Sequence, residues 1–342
     1  MSARALYLDR SPGERRGAVY LDGHPERLLI EREGDPERAR AGEVRRGRVR
    51  SLSKAFRGAF IDLGLERDGL MKLDAAAQGL SEGASVEVEV LAEGRADKGP
   101  TLRFRARSEG PPALLQPGPT LEQRLQACAP GAAVVEGPKA REAADLAEEV
   151  ALASRHLVGR GATVTIEPAR ALIAIDVDLG DAGAGHRKSI LEANRLALRE
   201  TARLLRLKSL GGLIVIDLAG PAREHELLLR STREAFAADE PDVVYAGISR
   251  LGVLEIAKPW RERPLSETLC DREGRLSART VAMRLLRDLE REGRADPGAR
   301  LEALAAPDVA EEAGRWIGEL GPRFSVRADL GRDRLSPDIR PL

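Results

Sequence analysis

The sequence predicts an α+β protein of several domains, organised around one strand–helix–strand unit whose two strands end in carboxylates. Residues 171–175 and 211–216 are short apolar runs rich in β-branched side chains, and aspartates, Asp176 and Asp217, follow them directly. Such runs predict buried strands. Between them, residues 189–207 place leucine and alanine at helical spacing with arginine on the opposite side, which predicts an amphipathic helix.

The two acidic strand ends predict a divalent cation site. Open sheets bind ligands at the carboxyl ends of their strands, and two neighbouring carboxylates repel each other unless a cation lies between them. Asp178 lies two residues beyond Asp176 and adds a third carboxylate. The pattern therefore favours Mg²⁺ or Mn²⁺ held by oxygen ligands. An aspartate after a strand can equally cap a helix or begin a turn, so both interpretations stand at this stage.

Composition limits the classes of protein that remain. A chain of 342 residues is long enough for two or three domains. Its 55 basic and 55 acidic residues balance, which argues against a protein that is basic over its whole surface but allows local cationic patches. Aromatic residues make up only 3% of the chain, so few sites are available for stacking on nucleic-acid bases.

Cysteine usage and hydropathy indicate the compartment. Cys128 and Cys270 are far apart and neither belongs to a CxxC motif, which predicts free thiols. We find no signal-peptide pattern and no apolar stretch long enough to span a bilayer. The four histidines show no zinc-binding spacing. We therefore expect a cytoplasmic protein that does not associate with membranes.

Residues 42–108 predict a separate small barrel. Short extended pieces at 1–41, separated by Pro-Gly and Asp-Gly turns, first predict a β-meander. Five strands are then predicted at 43–51, 59–63, 70–73, 85–92 and 101–107. That number suits an OB-type barrel, which binds single-stranded nucleic acid on one face. Phe60, Arg48, Arg57 and Lys98 are its candidate binding residues, although Phe60 could equally be a core aromatic.

The remaining segments alternate between helix and strand. The Pro- and Gly-rich residues 109–120 predict a domain boundary, and the chain from 277 onward predicts a small α/β module. Helices are predicted at 121–128, 138–153, 222–237, 278–292 and 309–320, and strands at 132–136, 163–167, 243–249, 253–256, 300–305 and 323–330.

Several long motifs, in order, resemble the ribonuclease E/G family. Ile175-Asp-Val-Asp178 is similar to the family's Ile-Asp-Val-Asn motif. Residues 202–217, Ala-Arg-Leu-Leu-Arg-Leu-Lys-Ser-Leu-Gly-Gly-Leu-Ile-Val-Ile-Asp, are close to its Ala-Arg-Gln-Leu-Arg-Leu-Arg-Asp-Leu-Gly-Gly-Ile-Ile-Val-Ile-Asp signature. Residues 248–255 resemble Ile-Ser-Arg-Phe-Gly-Leu-Val-Glu, and 59–67 resemble its OB-fold segment. The resemblance is strongest over 171–256.

The resemblance implies a multidomain α+β architecture: an RNase H-like and DNase I-like α/β core with an inserted OB-fold barrel and a small C-terminal α/β domain. The implied boundaries are a meander packing on the RNase H-like part (1–41), the RNA-binding barrel (42–108), the rest of the RNase H-like part (109–165), the catalytic DNase I-like domain (166–268), a linker (269–276) and the C-terminal domain (277–342).

The resemblance also implies roles for individual residues. Asp176 and Asp217 would hold the catalytic Mg²⁺. Asp178 stands where the family has an asparagine and would be a third catalytic carboxylate, or would add so much charge that activity falls. The implied RNA-binding residues are Phe60, Lys98, Arg187, Lys188, Asn194, Lys208 and Arg250. For each basic residue the alternative is a solvated surface charge.

Two departures from the family pattern set further expectations. The segment that forms the family's 5′-monophosphate pocket is not found within 109–165, so we expect no 5′-end sensing. The Cys-Pro-x-Cys zinc link is missing and only Cys270 lies in that region, so we expect no structural zinc and, at most, a homodimer joined in another way.

Three hypotheses about function follow. The first is a metal-dependent endoribonuclease that cuts single-stranded RNA. The second is a non-catalytic or weakly active RNA-binding protein on the same scaffold, for instance in ribosome assembly. The third is a DNA-directed nuclease, since an OB-type barrel alone does not distinguish DNA from RNA.

Overall fold

Four β-sheets and seven α-helices make up the described part of the chain, which is therefore a mixed α+β protein. The computed structural model describes residues 4–159, 161–180, 187–220, 224–239 and 242–342, with the backbone only at 187–189. Short 3₁₀ turns lie at Ala75–Ala77, Ala237–Asp239 and Ile317–Leu320.

The N-terminal sheet contains the predicted meander. Its antiparallel strands are β1 (Arg4–Ser11), β2 (Glu14–Leu21) and β3 (His24–Arg32), and β10 (Val134–Glu136) pairs in parallel with β1. Two helices pack on this sheet, α1 (Leu121–Cys128) and α2 (Pro138–Leu152). A capping box between Thr120 and Gln123 fixes the start of α1. Residues 121–152 therefore pack on, or pair with, the same sheet as the N-terminal strands.

The second sheet has six strands, and one long strand of it pairs with three others. It contains β4 (Val44–Ser53), β5 (Gly58–Asp62), β6 (Gly69–Lys72), β7 (Ser85–Ala92), β8 (Thr101–Arg107) and β9 (Ala113–Gln116). The pairings run β5–β6–β8–β7–β4, and the last part of β4 pairs back to β5. The interior is apolar. The Pro- and Gly-rich residues 109–120 predict a domain boundary and no strand, whereas residues 113–116 form β9, which pairs with β4.

The central six-stranded sheet carries the strand–helix–strand unit. Its strands are β11 (Arg155–Val158), β12 (Ala162–Pro168), β13 (Ile173–Asp178), β14 (Gly212–Asp217), β15 (Val244–Ile248) and β16 (Val253–Lys258). The order is β11-β12-β13-β14-β16-β15, and only the β13–β14 pairing is parallel. The expected boundary between residues 165 and 166 falls inside β12, so this sheet begins further upstream, at Arg155.

Helices cover one face of the central sheet. Helix α3 (Arg187–Leu207) connects β13 to β14, and α4 (His225–Phe236) follows β14. Ile173, Ile175 and Val177 alternate along β13 and are buried in the same core as the apolar side chains of α3. Because successive side chains of a strand point to opposite faces, Asp176 and Asp178 lie on the other face, where both are exposed.

The C-terminal part forms the predicted small α/β module. After α5 (Leu265–Leu269) it consists of α6 (Ala278–Ala295), β17 (Leu301–Ala305), α7 (Pro307–Gly314), β18 (Phe324–Ala328) and β19 (Asp338–Pro341), with sheet order β18-β17-β19. The continuous helix predicted at 309–320 is wrong: α7 ends at Gly314 and a separate 3₁₀ turn follows. Glycine is a poor helix former, which is consistent with an end there.

A buried ionic network joins this module to the N-terminal sheet. The Glu14 carboxylate on β2 accepts hydrogen bonds from Arg32 at 2.7 Å and from Arg287 on α6 at 2.6 Å. Arg16, which is fully buried, donates to Asp9 at 2.6 Å and to Glu148 on α2 at 3.1 Å. Buried charges persist only when they are paired, so these contacts fix the mutual position of β2, α2 and α6.

Candidate metal centre and nucleic-acid interface

Asp176 and Asp217 are directly opposite each other on adjacent parallel strands. The register of β13 and β14 pairs Ile175 with Ile216 and Asp176 with Asp217. Neighbouring strands are about 4.8 Å apart, and residues in register share a face of the sheet. Both side chains are exposed on the face opposite the helices. The two carboxylates therefore lie side by side on an open surface that a large ligand can reach.

The electrostatics of this pair favour a bound cation. Partial burial raises the pKa of Asp176, and the nearby carboxylates of Asp217 and Asp178 raise it further. Arg155 on β11 opposes this effect, and its guanidinium lies 3.8 Å from Asp178. A raised carboxylate pKa means that negative charge is under-compensated, and a divalent cation relieves that repulsion. Sequence reasoning missed Arg155, because nothing local in the sequence links it to strand β13.

Asp178 is only partly available as a ligand. One of its carboxylate oxygens accepts the backbone N–H of Gly180 at 2.9 Å and closes the turn after β13. Across the described ranges, no three His, Cys, Asp or Glu side chains gather as a metal-binding group. The pair Asp176–Asp217 nevertheless fits Mg²⁺, which keeps several waters and is commonly bound through one or two protein carboxylates.

Asn194 has a structural role, which corrects its expected contact with RNA. It is buried on α3, where its side-chain amide donates to the carbonyl of Ala219 at 3.0 Å and its amide oxygen accepts the N–H of Ala219 at 3.0 Å. These two bonds leave the side chain little capacity for a ligand. They tie the segment directly after Asp217 to the helix and so hold the end of β14 in place.

Lys208 is likewise not available to a phosphate, contrary to expectation. Its ammonium group is buried and donates to the carbonyls of Ala151, at 2.7 Å, and Ala153 at the end of α2. Burial, together with the nearby Arg203, lowers the pKa of Lys208 to about 8. A cation at a helix C-terminus satisfies the last carbonyls and interacts favourably with the helix dipole.

Of the other predicted basic residues, Arg250 lies at the same end of the sheet as Asp217. It is exposed on the turn between β15 and β16, and Val253, three residues further on, pairs with Asp217. Arg187 and Lys188 occupy the first turn of α3, but their side chains lie outside those described. Lys98 is exposed and lines a cavity together with Ile173. Ile173 begins β13 and lies about 10 Å along the strand from Asp176, so Lys98 is not beside the carboxylates.

The second sheet carries the aromatic side chains of Phe60 and Phe56 near its surface. Phe60 on β5 is half-buried and pairs across the sheet with Leu70 on β6. Phe56, in the turn before β5, is 63% exposed and lies edge-to-face with Phe60 at a centroid distance of 6.2 Å. The sequence analysis does not identify Phe56 as a binding residue. The feature of the sequence that could have done so is its position four residues before the candidate Phe60. Exposed aromatics of this kind are what base stacking requires.

His156 lies beside Lys208 and makes the fold sensitive to acid. Its Nε2 is 3.0 Å from the carbonyl oxygen of Ala153. Burial and the Lys208 cation lower its pKa to about 4, below the ordinary 6.5. Between those values the unfolded chain binds a proton that the folded chain does not, so stability falls as the pH decreases from 6.5 to 4.

We therefore expect the free energy of unfolding to decrease by about 2 kcal/mol over that range because of His156. Urea unfolding at a series of pH values measures the effect in the wild type, in His156→Gln and in His24→Gln, where the exposed His24 serves as control. His156→Gln should flatten this part of the profile. An unchanged slope in His156→Gln would remove His156 from the explanation.

Comparison with known proteins relates one part of this chain to a known family. The model of the Ribonuclease E/G family matches residues 138–261, which contain all three aspartates. The chain is 34% identical over 149 residues to the Ribonuclease E/G-like chloroplastic protein of Arabidopsis thaliana, covering 39% of this chain and 15% of that relative. It is 29% identical over 163 residues to Ribonuclease G of Escherichia coli K12, covering 44% and 33%.

Ribonuclease E of the same bacterium is 30% identical over 161 residues, covering 44% of this chain and 15% of that protein. The matched part thus spans a third or less of each of these relatives. Fold and site together define a mixed α+β protein with a paired-carboxylate candidate metal centre. Residues 138–261 match the ribonuclease E/G family, and this part of the chain is similar to members of that family. In the described residues, no helix combines the length and apolar character needed to cross a membrane.

Proposed function

We propose that this protein is a metal-dependent endoribonuclease that hydrolyses phosphodiester bonds in single-stranded RNA. The observation that carries the proposal is the in-register pairing of Asp176 with Asp217 on an exposed sheet face. The names of the relatives, Ribonuclease E and Ribonuclease G, support the choice of RNA as substrate.

In this proposal Asp176 and Asp217 hold Mg²⁺ or Mn²⁺ between the ends of β13 and β14. When bound, the cation would polarise the scissile phosphate and lower the pKa of a water that attacks phosphorus. Asp178 adds negative charge beside the pair and orients the turn through Gly180. Arg250, together with Arg187 and Lys188 at the start of α3, would contact phosphates that flank the scissile bond.

The barrel is proposed to hold the RNA strand. The pairings of β4 to β8 return to their starting strand, which supports an OB-type barrel. The pairing of β1 with β10 supports a single RNase H-like unit formed by the N-terminal meander and the segment that contains α1 and α2. Phe60 and Phe56 would stack on bases, and the exposed Arg48 and Arg57 would contact phosphates.

Cleavage is further proposed to be independent of a 5′-monophosphate. The sequence of residues 109–165 does not contain the segment that forms such a pocket, and most of this stretch forms α1, β10 and α2, all of which pack in the N-terminal unit. Two RNAs of the same sequence, one with a 5′-monophosphate and one with a 5′-hydroxyl, should be cut at equal rates. A clear preference for the monophosphate would contradict this part of the proposal.

The proposal is tested by incubating purified protein with single-stranded RNA in Mg²⁺, in Mn²⁺ and in EDTA. Cleavage that requires the divalent cation is the expected result. The competing function is RNA binding without catalysis, and it is favoured by one observation, the extra carboxylate of Asp178 beside the pair. Binding without cleavage in either metal would establish that alternative. A DNA strand of the same sequence tests selectivity for RNA.

Phe56 is expected to contribute directly to RNA affinity. Stacking of one base on an aromatic side chain is worth about 1–3 kcal/mol, so Phe56→Ala should weaken RNA binding by roughly tenfold or more. Fluorescence anisotropy with a short oligouridylate in EDTA measures binding without cleavage. Leu330→Ala is the matched control, since Leu330 is 94% exposed in the C-terminal module. Equal affinities of the two variants would exclude Phe56 from the interface.

A homodimer that is not linked by zinc is the proposed assembly, and the sequence leaves the oligomeric state open. Light scattering after size exclusion, with and without a chelator, tests it. A mass equal to two chains that survives chelation agrees with the proposal, whereas a monomer contradicts it.

A further inference from the structure

A second cationic site lies in a cleft between the barrel and the end of the central unit. The cleft has a volume of about 380 Å³, close to the lower end of the range for small-molecule sites. Its walls come mainly from residues 32–39, which lead from β3 into β4, from the turn at 94–100, and from residues 263–279 around α5. None of the three aspartates of the candidate metal centre lines it.

Charge in this cleft is unbalanced. Seven arginine or lysine side chains line it, against four aspartates or glutamates. Several of the acids already have partners: Asp35 pairs with Arg279 at 3.0 Å, and Glu37 pairs with Arg45 at 3.0 Å, outside the cleft. One lining cation is likewise compensated from outside, since Arg32 binds Glu14 at 2.7 Å, so the cleft keeps its excess of positive charge.

Buried hydrogen-bond donors in the cleft also lack acceptors. The Nε atoms of Arg38, Arg263 and Arg279 are shielded from solvent, and none of them has a hydrogen-bond acceptor within the part of the chain that is described. Almost all buried polar groups in proteins are hydrogen-bonded, and three exceptions in one cavity require an explanation. These Nε atoms are closed to solvent and do not face the open volume themselves, but they show that the guanidinium groups of Arg38 and Arg263, which line the cleft, are not fixed by a hydrogen bond through Nε.

Arg38 is the least compensated of the three. Its nearest carboxylate, Glu93, is 3.9 Å away, beyond hydrogen-bonding distance. By contrast, Arg263 lies 3.4 Å from Glu267, and the terminal nitrogens of Arg279 bind Asp35 and the carbonyl of Glu33. Burial lowers the pKa of Arg38, and the nearby cations of Arg263 and Arg40 lower it further, against the opposing effect of Glu93.

We propose that this cleft binds a phosphate group, with Arg38 and Arg263 as its principal contacts. Guanidinium forks match the geometry of phosphate oxygens and remain charged when partly buried. The volume admits a ligand of the size of one nucleotide, so the phosphate belongs to a free nucleoside monophosphate or to the backbone of an RNA strand. The site does not depend on the chemistry at Asp176 and Asp217.

A bound phosphate would also fasten the barrel to the central unit. Three hydrogen bonds already cross this junction: the N–H of Glu93 donates to the carbonyl of Arg261 at 2.9 Å, the N–H of Ala96 donates to the Glu267 carboxylate at 2.9 Å, and the N–H of Arg263 donates to the Glu93 carboxylate at 3.3 Å. Arg38 and Arg263 approach the cleft from the two sides of the same junction. Occupancy would therefore restrict movement of the barrel.

Isothermal titration of the full chain with inorganic phosphate, at constant ionic strength set by chloride, tests the proposal. Saturable binding is expected, weakened at least about tenfold in Arg38→Gln and in Arg263→Gln, since each removes a charged contact. Arg291→Gln is the control, because Arg291 is 63% exposed on α6 and pairs with Asp288. Binding no stronger than the response to chloride, or unaltered binding by both cleft variants, would overturn the proposal.

The source of the phosphate is distinguished by competition. Adenosine monophosphate that displaces inorganic phosphate identifies a free nucleotide, whereas displacement only by a short RNA without a terminal phosphate identifies the RNA backbone. If neither competes, the cleft is not a phosphate site for nucleotides and the proposal fails. Phosphate binding should persist in Asp217→Asn. That result would show that the cleft binds phosphate whether or not the protein is a nuclease.

Discussion

Replacing Asp217 by asparagine is expected to reduce RNA cleavage by at least about 100-fold, because it removes one of the two carboxylates proposed to hold the cation. Asparagine keeps the size of the side chain and one oxygen, so the change is mainly in charge. The measurement is the single-turnover rate of cleavage of a labelled single-stranded RNA in saturating Mg²⁺. Asp333→Asn is the control, since Asp333 is exposed and only closes a local turn with Leu335.

The same substitution should not weaken the fold. Asp176 and Asp217 repel each other when no cation is bound, so Asp217→Asn should melt at the same temperature as the wild type, or higher, in EDTA. Added Mg²⁺ should raise the melting temperature of the wild type but not that of the variant, because a ligand stabilises only the state that binds it. Cleavage by Asp217→Asn at the wild-type rate would contradict the assignment of this residue.

The second large effect is expected at the buried ionic network. Glu14→Gln leaves Arg16, Arg32 and Arg287 short of one negative charge in a region without solvent. Breaking a buried pair by removing one partner typically costs about 3–5 kcal/mol, so we expect a loss of that order in the free energy of unfolding. Urea denaturation measures it, provided that unfolding is a single transition.

Two further variants make this prediction specific. Glu311→Gln removes an exposed partner of Arg315 and should cost less than about 1 kcal/mol, as surface ion pairs do. Arg287→Met should cost less in the Glu14→Gln background than alone, since the two residues share an interaction. Additive effects of the two substitutions would show that the observed contact does not couple them energetically.

The strand–helix–strand unit could be predicted from the sequence, for a clear physical reason. Strands β13 and β14 are short apolar runs that end in aspartate, and the helical repeat of α3 lies between them, so each local pattern agrees with the final structure. The side-by-side position of Asp176 and Asp217 then follows from the parallel connection. The start of α1 was also predictable, because Thr120 and Gln123 provide the capping bonds.

The incorrect or missing predictions have a common cause. Whether a side chain or strand is buried depends on partners that are distant in the chain. Lys208 and Asn194 have polar side chains in a segment rich in arginine, and nothing local distinguishes them from surface residues. Their partners lie 57 and 25 positions away. The short strands β9 and β19 are not predicted for the same reason, since each has only four residues and is ordered by pairing with one strand that lies far away in the chain.

Location of the metal ion in crystals soaked in Mn²⁺ tests the central claim most directly. The paired carboxylates predict an anomalous peak roughly 2.1 Å from an oxygen of Asp176 and from an oxygen of Asp217, and the loss of this peak in Asp217→Asn. A wild-type protein that cuts RNA in Mn²⁺ while the ion binds elsewhere, with both aspartates unliganded, would contradict the proposed mechanism.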